Sequence, residues 1–192
     1  MDLLATSTVE RGWKRVVLAL LLLTSMPLPL PQLRGQEPAA GREYALKAVF
    51  LYNFCQFIDW PPRRFGTHKS PIIIGILGSN PFGNLLTETV QGEAVRGRPI
   101  HVEFYQSPAQ AKNCHLLFIS DAEFARHPAA CATLRGHGVV TVGESDDFLN
   151  QGGMIALASE QNRIRVRIYL EPVSAANVEI SSKLLRIADI KR

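Results

Sequence analysis

Cysteine is scarce in this chain, with three residues in 192. The three form no C-x-x-C pair, and the five histidines show no H-E-x-x-H spacing. These absences exclude a disulfide-rich scaffold and the common zinc motifs. A G-x-S-x-G segment, the hydrolase nucleophile turn, is also missing. The sequence therefore predicts no metal, no cofactor and no catalytic group of residues.

Long apolar runs are missing as well, since none reaches the roughly 18 residues of a clear membrane span. The short run from Val16 to Leu23 follows three basic residues and precedes a proline-rich stretch. A basic start with a short apolar core is typical of a secretory signal peptide, and the run is short for the alternative, an N-terminal membrane anchor. We expect a signal peptide and proline-rich region in residues 1–36, with cleavage between Ser25 and Ala40. The protein would then be exported.

Removal of that segment changes the charge. Residues 1–36 hold four basic and two acidic side chains, so the formal net charge falls from +4 to +2. A nearly balanced, exported chain does not favour a nucleic-acid partner. Apolar residues make up 46% of the chain and charged residues 20%, which is a globular composition.

The rest of the chain, residues 37–192, alternates helix and strand patterns and predicts one domain. This alternation predicts an α/β fold, a three-layer sandwich with a mostly parallel sheet and an antiparallel edge hairpin. The predicted helices are 43–60, 82–90, 121–134 with an interruption near Pro128, and 182–190. The predicted strands are Ile72–Leu77, 100–104, 115–119 and 138–142, with a hairpin of 154–158 and 163–170.

One glycine-containing loop follows a predicted strand and opens a helix. It runs from Gly78 to Gly83 and has half of a phosphate-binding motif, but Asn84-Leu85 replaces the Lys-Ser/Thr pair. A plain turn is the stronger interpretation. A small-molecule site that uses Ser79 and Asn80 together with the strand-end loop at 152–153 stays an alternative.

The three cysteines favour one bridge in an oxidising compartment. Cys114 precedes a strand, and Cys131 lies near the end of the helix that returns from it. Because the start of a strand and the end of its crossover helix lie at the same side of a sheet, we expect a Cys114–Cys131 disulfide. Such a short loop is worth about 3 kcal/mol in the chain-entropy model. Cys55, on a helix, is expected to be a buried thiol.

Three arginines alternate with branched apolar residues along the second hairpin strand. In a strand, Arg163, Arg165 and Arg167 share one face. The strip suits an acidic protein surface or an anionic ligand, although an exposed strand kept soluble by charge is the commoner explanation.

The first predicted helix carries more apolar residues than a surface helix needs. Leu46, Val49, Phe50 and Phe57 form one stripe around Asn53, and further apolar residues, including Leu51 and Tyr52, lie elsewhere on the helix. The excess predicts either deep burial or an interface. We take Leu51 and Tyr52, with the three arginines, as the partner-binding residues, and we expect a homodimer or a complex.

A set of short segments in a fixed order resembles the YfiR-like family over about residues 42–190. No single segment is diagnostic, whereas their number and order are. Cys114 matches a common family cysteine, while Cys55 and Tyr169 depart from the family pattern. The matching segments are EYALKAVFLYNF (43–54), WP (60–61), ILG (76–78), NPFG (80–83), GRPI (97–100), CHLLFIS (114–120), GGMI (152–155), NRIR (162–165) and ISSKLLR (180–186).

The resemblance implies a periplasmic α/β protein without catalysis. The best understood member represses an inner-membrane diguanylate cyclase by binding its periplasmic domain, and an outer-membrane lipoprotein captures the repressor. We therefore expect a regulator of an inner-membrane signalling protein, such as a cyclase that makes cyclic-di-GMP. A periplasmic small-molecule-binding module is the alternative, and an enzyme ranks last.

Overall fold

The computed structural model describes residues 39–191. Its helices are α1 Ala39–Phe57, α2 Leu85–Val90, α3 Asp121–Arg126, α4 Ala130–Leu134, α5 Asp146–Asn150, α6 Leu170–Ala175 and α7 Ser182–Leu185. Its strands are β1 Ile58–Asp59, β2 Ile72–Leu77, β3 Ala94–Val95, β4 Arg98–Tyr105, β5 Leu116–Phe118, β6 Val140–Gly143, β7 Ile155–Glu160, β8 Arg163–Tyr169, β9 Glu179–Ile180 and β10 Asp189–Lys191. Two short 3₁₀ turns, Pro62–Arg64 and Gln110–Asn113, join some of them.

An eight-stranded sheet lies at the centre of the domain. Its strand order is β10-β8-β7-β6-β5-β2-β4-β3, and β1 pairs separately with β9. The neighbours from β7 through β4 all pair in parallel, as do β10 and β8. The hairpin β7–β8 and the short pair β3–β4 are antiparallel. The sheet is mostly parallel, as the sequence predicts.

Helices cover both faces of the sheet and complete the three layers. On one face, α1 and α2 pack on a cluster that contains Leu51, Phe82 and Phe118. On the other face, α3, α4 and α5 contribute Phe124, Leu134 and other residues to a second cluster. Alternate residues of each central strand belong to one cluster and then the other, because successive strand side chains point to opposite faces. The predicted fold class is confirmed.

Most of the predicted elements are present, with shifted ends. The strand Ile72–Leu77 is confirmed, and the predicted interruption near Pro128 separates α3 from α4. The first helix ends at Phe57 rather than at residue 60. The residue before a proline avoids helical geometry, so Trp60, which precedes Pro61, cannot close the helix well.

The predicted C-terminal helix is wrong in its second half. It ends at Leu185, and Asp189–Lys191 forms β10 instead. β10 pairs in parallel with β8, at the outer side of the hairpin. The open edge of β8 offers unpaired backbone groups, and pairing with that edge outweighs the helical preference of so short a segment.

Among residues 39–191, no helix has the length and apolar character needed to cross a membrane. The predicted signal peptide lies outside the described residues.

Candidate protein-binding surface

The apolar residues of α1 divide between an inner and an outer stripe. Ala48, Leu51, Phe54 and Cys55 form the inner side and are fully buried in the core. Leu51 therefore cannot contact a partner, and its prediction as a partner-binding residue is wrong. The physical reason is that α1 lies flat on the sheet, so the side opposite Leu51 faces outward.

The outer stripe consists of Leu46, Val49, Phe50, Asn53 and Phe57. Leu46 is 50% exposed and Val49 is 46% exposed. The other three are half-buried, so Asn53 does not need a buried partner. The spacing of three and four residues places all five on one face of the helix. α1 thus presents an apolar face to its surroundings.

Tyr52 lies beside this stripe and makes a hydrogen bond within the domain. Its hydroxyl donates to Glu93 Oε2 at 2.7 Å, and its side chain is half-buried. The hydrogen bond to Glu93 raises the pKa of Tyr52, because it stabilises the neutral phenol. Tyr52 fixes α1 to the segment after α2.

A buried ionic network anchors the first turns of α1. The side chain of Lys47 is 2% exposed, and its Nζ lies 2.5 Å from Glu144 Oε1 and 2.5 Å from Glu43 Oε1. Tyr44 donates to Glu144 Oε1 at 3.1 Å, and the backbone N–H of Asp121 donates to Glu144 Oε2 at 3.0 Å. A buried lysine needs such partners, since an unpaired buried charge is very costly.

The protonation of this network follows from its contacts. Burial opposes ionisation of Glu43, but hydrogen bonds from Lys47 and Ser159 hold the pKa of Glu43 below its usual value. Burial and the adjacent Glu144 carboxylate raise the pKa of Tyr44. Glu43 is ionised and Tyr44 is neutral at neutral pH. The Glu43–Lys47 spacing of four residues was the one sequence signal for this network.

The hairpin arginines alternate as predicted but differ in their contacts. Arg167 is paired with Asp146, at 3.0 Å, and with Glu160. Arg163 and Arg165 are exposed and have no ion-pair partner within residues 39–191. The intervening Ile164, Val166 and Ile168 pack on the cluster beneath α1.

The strip and the outer stripe of α1 therefore lie on different sides of the sheet. The branched residues of β8 point toward α1, so the arginines point away from it. At the hairpin end, however, a cavity of about 230 Å³ is lined by Leu46 of α1 together with Arg163 and Ile164. The structure thus places Arg163 beside the exposed face of α1, whereas Arg165 and Arg167 do not lie beside it.

We define the α1–hairpin surface as Leu46, Val49, Phe50, Arg163 and Ile164. It combines an apolar centre with a cationic rim, which is the composition of many protein-binding surfaces. Leu46 and Val49 belonged to a predicted stripe but not to the predicted partner-binding residues, because the sequence pattern does not tell which of two apolar stripes faces out.

The predicted ligand loop is occupied by internal contacts. The backbone N–H and hydroxyl of Ser79 both donate to Glu123 Oε1, at 3.1 and 2.8 Å. Asn80 donates to the carbonyl of Gly83 and accepts from the N–H of Phe82. The Ser79 donors that would hold an anion face a carboxylate, so the loop is a closed turn.

The three cysteines are free and buried, which contradicts the predicted Cys114–Cys131 disulfide. Cys131 lies toward β6 and the 152–153 turn, beside Thr141 and Gly152. Cys114 lies toward β2 and β4, near Gly75. The crossover helix α4 packs over β6, the strand that follows it, rather than over the start of β5, the strand that precedes it. Burial raises the pKa of Cys131 to about 11 and that of Cys114 to about 12.

Cys55 is a buried thiol, as predicted, and burial raises its pKa to about 12. Within the described part of the chain, no three His, Cys, Asp or Glu side chains are placed to hold a metal ion.

The domain is a three-layer α/β fold with an exposed apolar helix face. The sequence matches the YfiR/HmsC-like family over residues 44–189, and the chain belongs to this family. The family is one of regulatory domains and is not a known catalytic family. No curated protein sequence matches the chain.

Proposed function

We propose that this protein is an exported, periplasmic regulator that binds an inner-membrane signalling protein through the α1–hairpin surface. The observation that carries the proposal is the outer stripe of α1, where Leu46 and Val49 are about half exposed. Contiguous exposed apolar surface is costly to leave in water and marks an interaction site. The family supplies the regulatory class of the protein.

The exposure of this face does not come from a loosely attached helix. The Lys47–Glu144 pair and the Tyr52–Glu93 hydrogen bond attach α1 at two places along its length. The same helix buries its inner stripe fully. A firmly held apolar face suits a preformed docking surface, which binds without an ordering cost.

The rim indicates the chemistry of the partner. Arg163 is exposed beside Leu46 and has no carboxylate partner within the described residues. We expect an apolar patch on the partner with acidic residues at its edge. The partner that we favour is the periplasmic domain of a diguanylate cyclase held inactive by this contact. An outer-membrane lipoprotein or a second copy of the chain are further candidates for the same surface.

Substitution of Leu46 tests this proposal. In a strain that lacks the gene, the wild-type protein should lower cyclic-di-GMP, and Leu46→Glu should fail to do so because a charge replaces the apolar contact. Phe104→Glu is the matched control, since Phe104 is an apolar residue of β4 with a similar exposure of 51%. A photo-crosslinking residue at position 46 should capture a membrane protein, whereas the same residue at position 104 should not.

Two results together would contradict the proposal. These are an unchanged second-messenger level in the deletion strain and no membrane protein captured from position 46. If the protein bound a metabolite but no membrane partner, the small-molecule module would replace the regulator. Light scattering of the purified protein would show whether a second copy occupies the surface instead.

A further inference from the structure

A cleft of about 480 Å³ lies at the amino end of the central strands, beyond the last turn of α1. Its volume falls in the ~300–1,000 Å³ range of small-molecule sites. Its lining includes Asp59, Trp60, Phe65, Arg96 and Arg98. Trp60 follows α1 by three residues, whereas Leu46 lies in the first half of that helix. The cleft and the α1–hairpin surface are therefore at opposite ends of α1.

One wall of the cleft is aromatic and rigid. Trp60 is 8% exposed, and its indole Nε1–H donates to the carbonyl of His115 at 3.0 Å. The His115 ring packs edge-on against Trp60 and stacks on Phe65, with centroids 5.6 and 4.6 Å apart. These contacts hold both aromatic rings in place. Because His115 covers one face of the Phe65 ring and Arg98 covers the other, a flat ligand meets Phe65 at its edge.

The cleft also contains one guanidinium without a neutralising carboxylate. Arg98 stacks on Phe65 at 3.8 Å and donates Nη1–H bonds to the carbonyls of Thr67 and Ser70, at 2.7 and 2.9 Å. Its Nε–H and Nη2–H groups have no hydrogen-bond partner within residues 39–191. Arg96, by contrast, is paired with Asp59.

We propose that this cleft binds a small aromatic carboxylate. The flat ring would pack edge-to-face against the aromatic wall of Trp60 and Phe65, and the free edge of the Arg98 guanidinium would receive the carboxylate. A guanidinium edge matches the two oxygens of a carboxylate. Because Asp59 neutralises Arg96, the cleft has one uncompensated positive charge, which suits a monoanion better than a phosphate dianion.

Binding can be followed through the indole of Trp60. The chain has two tryptophans, and Trp13 lies in the predicted signal peptide, so Trp60 gives the single indole N–H signal in NMR spectra of the mature protein. Benzoate should shift this signal saturably. Neutral benzamide and the small anion acetate should bind at least tenfold more weakly, because benzamide lacks the carboxylate and acetate lacks the aromatic ring.

Arg98→Gln should weaken benzoate binding at least tenfold. Arg63→Gln is the matched control, since Arg63 is exposed in the neighbouring 3₁₀ turn and does not line the cleft. It should leave the affinity unchanged. Unchanged affinity in folded Arg98→Gln would overturn the proposal.

If Arg98→Gln does not fold, the affinities of the three ligands for the protein with native Arg98 test the proposal. Equal binding of benzoate and benzamide would overturn the role of charge. The absence of any saturable shift with benzoate would overturn the site itself. Both results would leave the proposed regulatory function standing, because the test does not involve the α1–hairpin surface.

Discussion

At the scale of single residues, His115 is the most unusual titratable group. The residue is 3% exposed, and its Nδ1 accepts a hydrogen bond from the N–H of Ile73 at 3.1 Å. The proton of the neutral ring therefore resides on Nε2, which has no partner within the described residues. Burial, with repulsion from Arg64, lowers the pKa of His115 to about 4. The ring is neutral in the folded protein at pH 7.

This depressed pKa makes stability depend on pH. The unfolded chain takes up a proton near pH 6.5 and the folded chain only near pH 4. The stabilisation is therefore complete above pH 6.5 and is lost as the pH falls toward 4. At pH 5 the loss is about 2 kcal/mol.

His115→Gln should remove this pH dependence. Urea unfolding at pH 7.5 and pH 5 should show about 2 kcal/mol less loss of stability in the variant than in the wild type. His137→Gln, at an exposed position, should keep the full loss. If the two variants lose stability equally, His115 does not carry the effect.

At the scale of elements, α1 is the helix on which the proposed function depends. Its inner stripe belongs to the core, and its charged groups meet at Glu144, which follows β6. This carboxylate accepts bonds from Tyr44, Lys47 and the N–H of Asp121. One side chain thus connects α1 to the carboxyl ends of two parallel strands.

Glu144→Ala should destabilise the protein by about 3 kcal/mol, because it leaves Lys47 buried with only Glu43 as a partner. Chemical denaturation gives the free energy of unfolding. Glu88→Ala, which removes an exposed carboxylate from α2, should change it by no more than about 0.5 kcal/mol. A small effect at position 144 would show that Glu43 alone compensates the lysine.

At the scale of the whole molecule, two arginines on the same face of β8 have different surroundings. Arg163 lies at the hairpin end and lines a cavity with Leu46, while Arg165 lies two residues farther along the strand and does not line that cavity. Only the first is part of the α1–hairpin surface. Partner binding should therefore depend on the two arginines to different degrees, although the sequence treats them alike.

Arg163→Glu should weaken binding to the crosslinked membrane partner about tenfold at low salt and less at 0.5 M salt, since exposed charges are screened. Arg165→Glu makes the same charge change two residues away and should have a smaller effect. Surface plasmon resonance at two salt concentrations measures both. Equal losses would assign the interface to the arginine strip.

The buried strands were predictable because segments of such apolar composition are stable only in the interior of the protein. Ile72–Leu77 is continuously non-polar and contains four β-branched isoleucines, so it must lie inside a sheet covered on both faces. Element ends were less predictable. The last strand, Asp189–Lys191, exists because β8 has an open edge, and a local pattern contains no information about that edge.

The amino-acid sequence by itself determined the alternating helices and strands, the family, and the two apolar stripes of α1, since these follow from periodicity and residue order. Only the tertiary structure decided which stripe faces out, which arginine meets it, and that Cys114 and Cys131 lie toward different strands. It also decided that Trp60, Phe65 and Arg98 line one cleft. These outcomes depend on contacts between residues far apart in the chain, and such contacts exist only once the sheet has assembled.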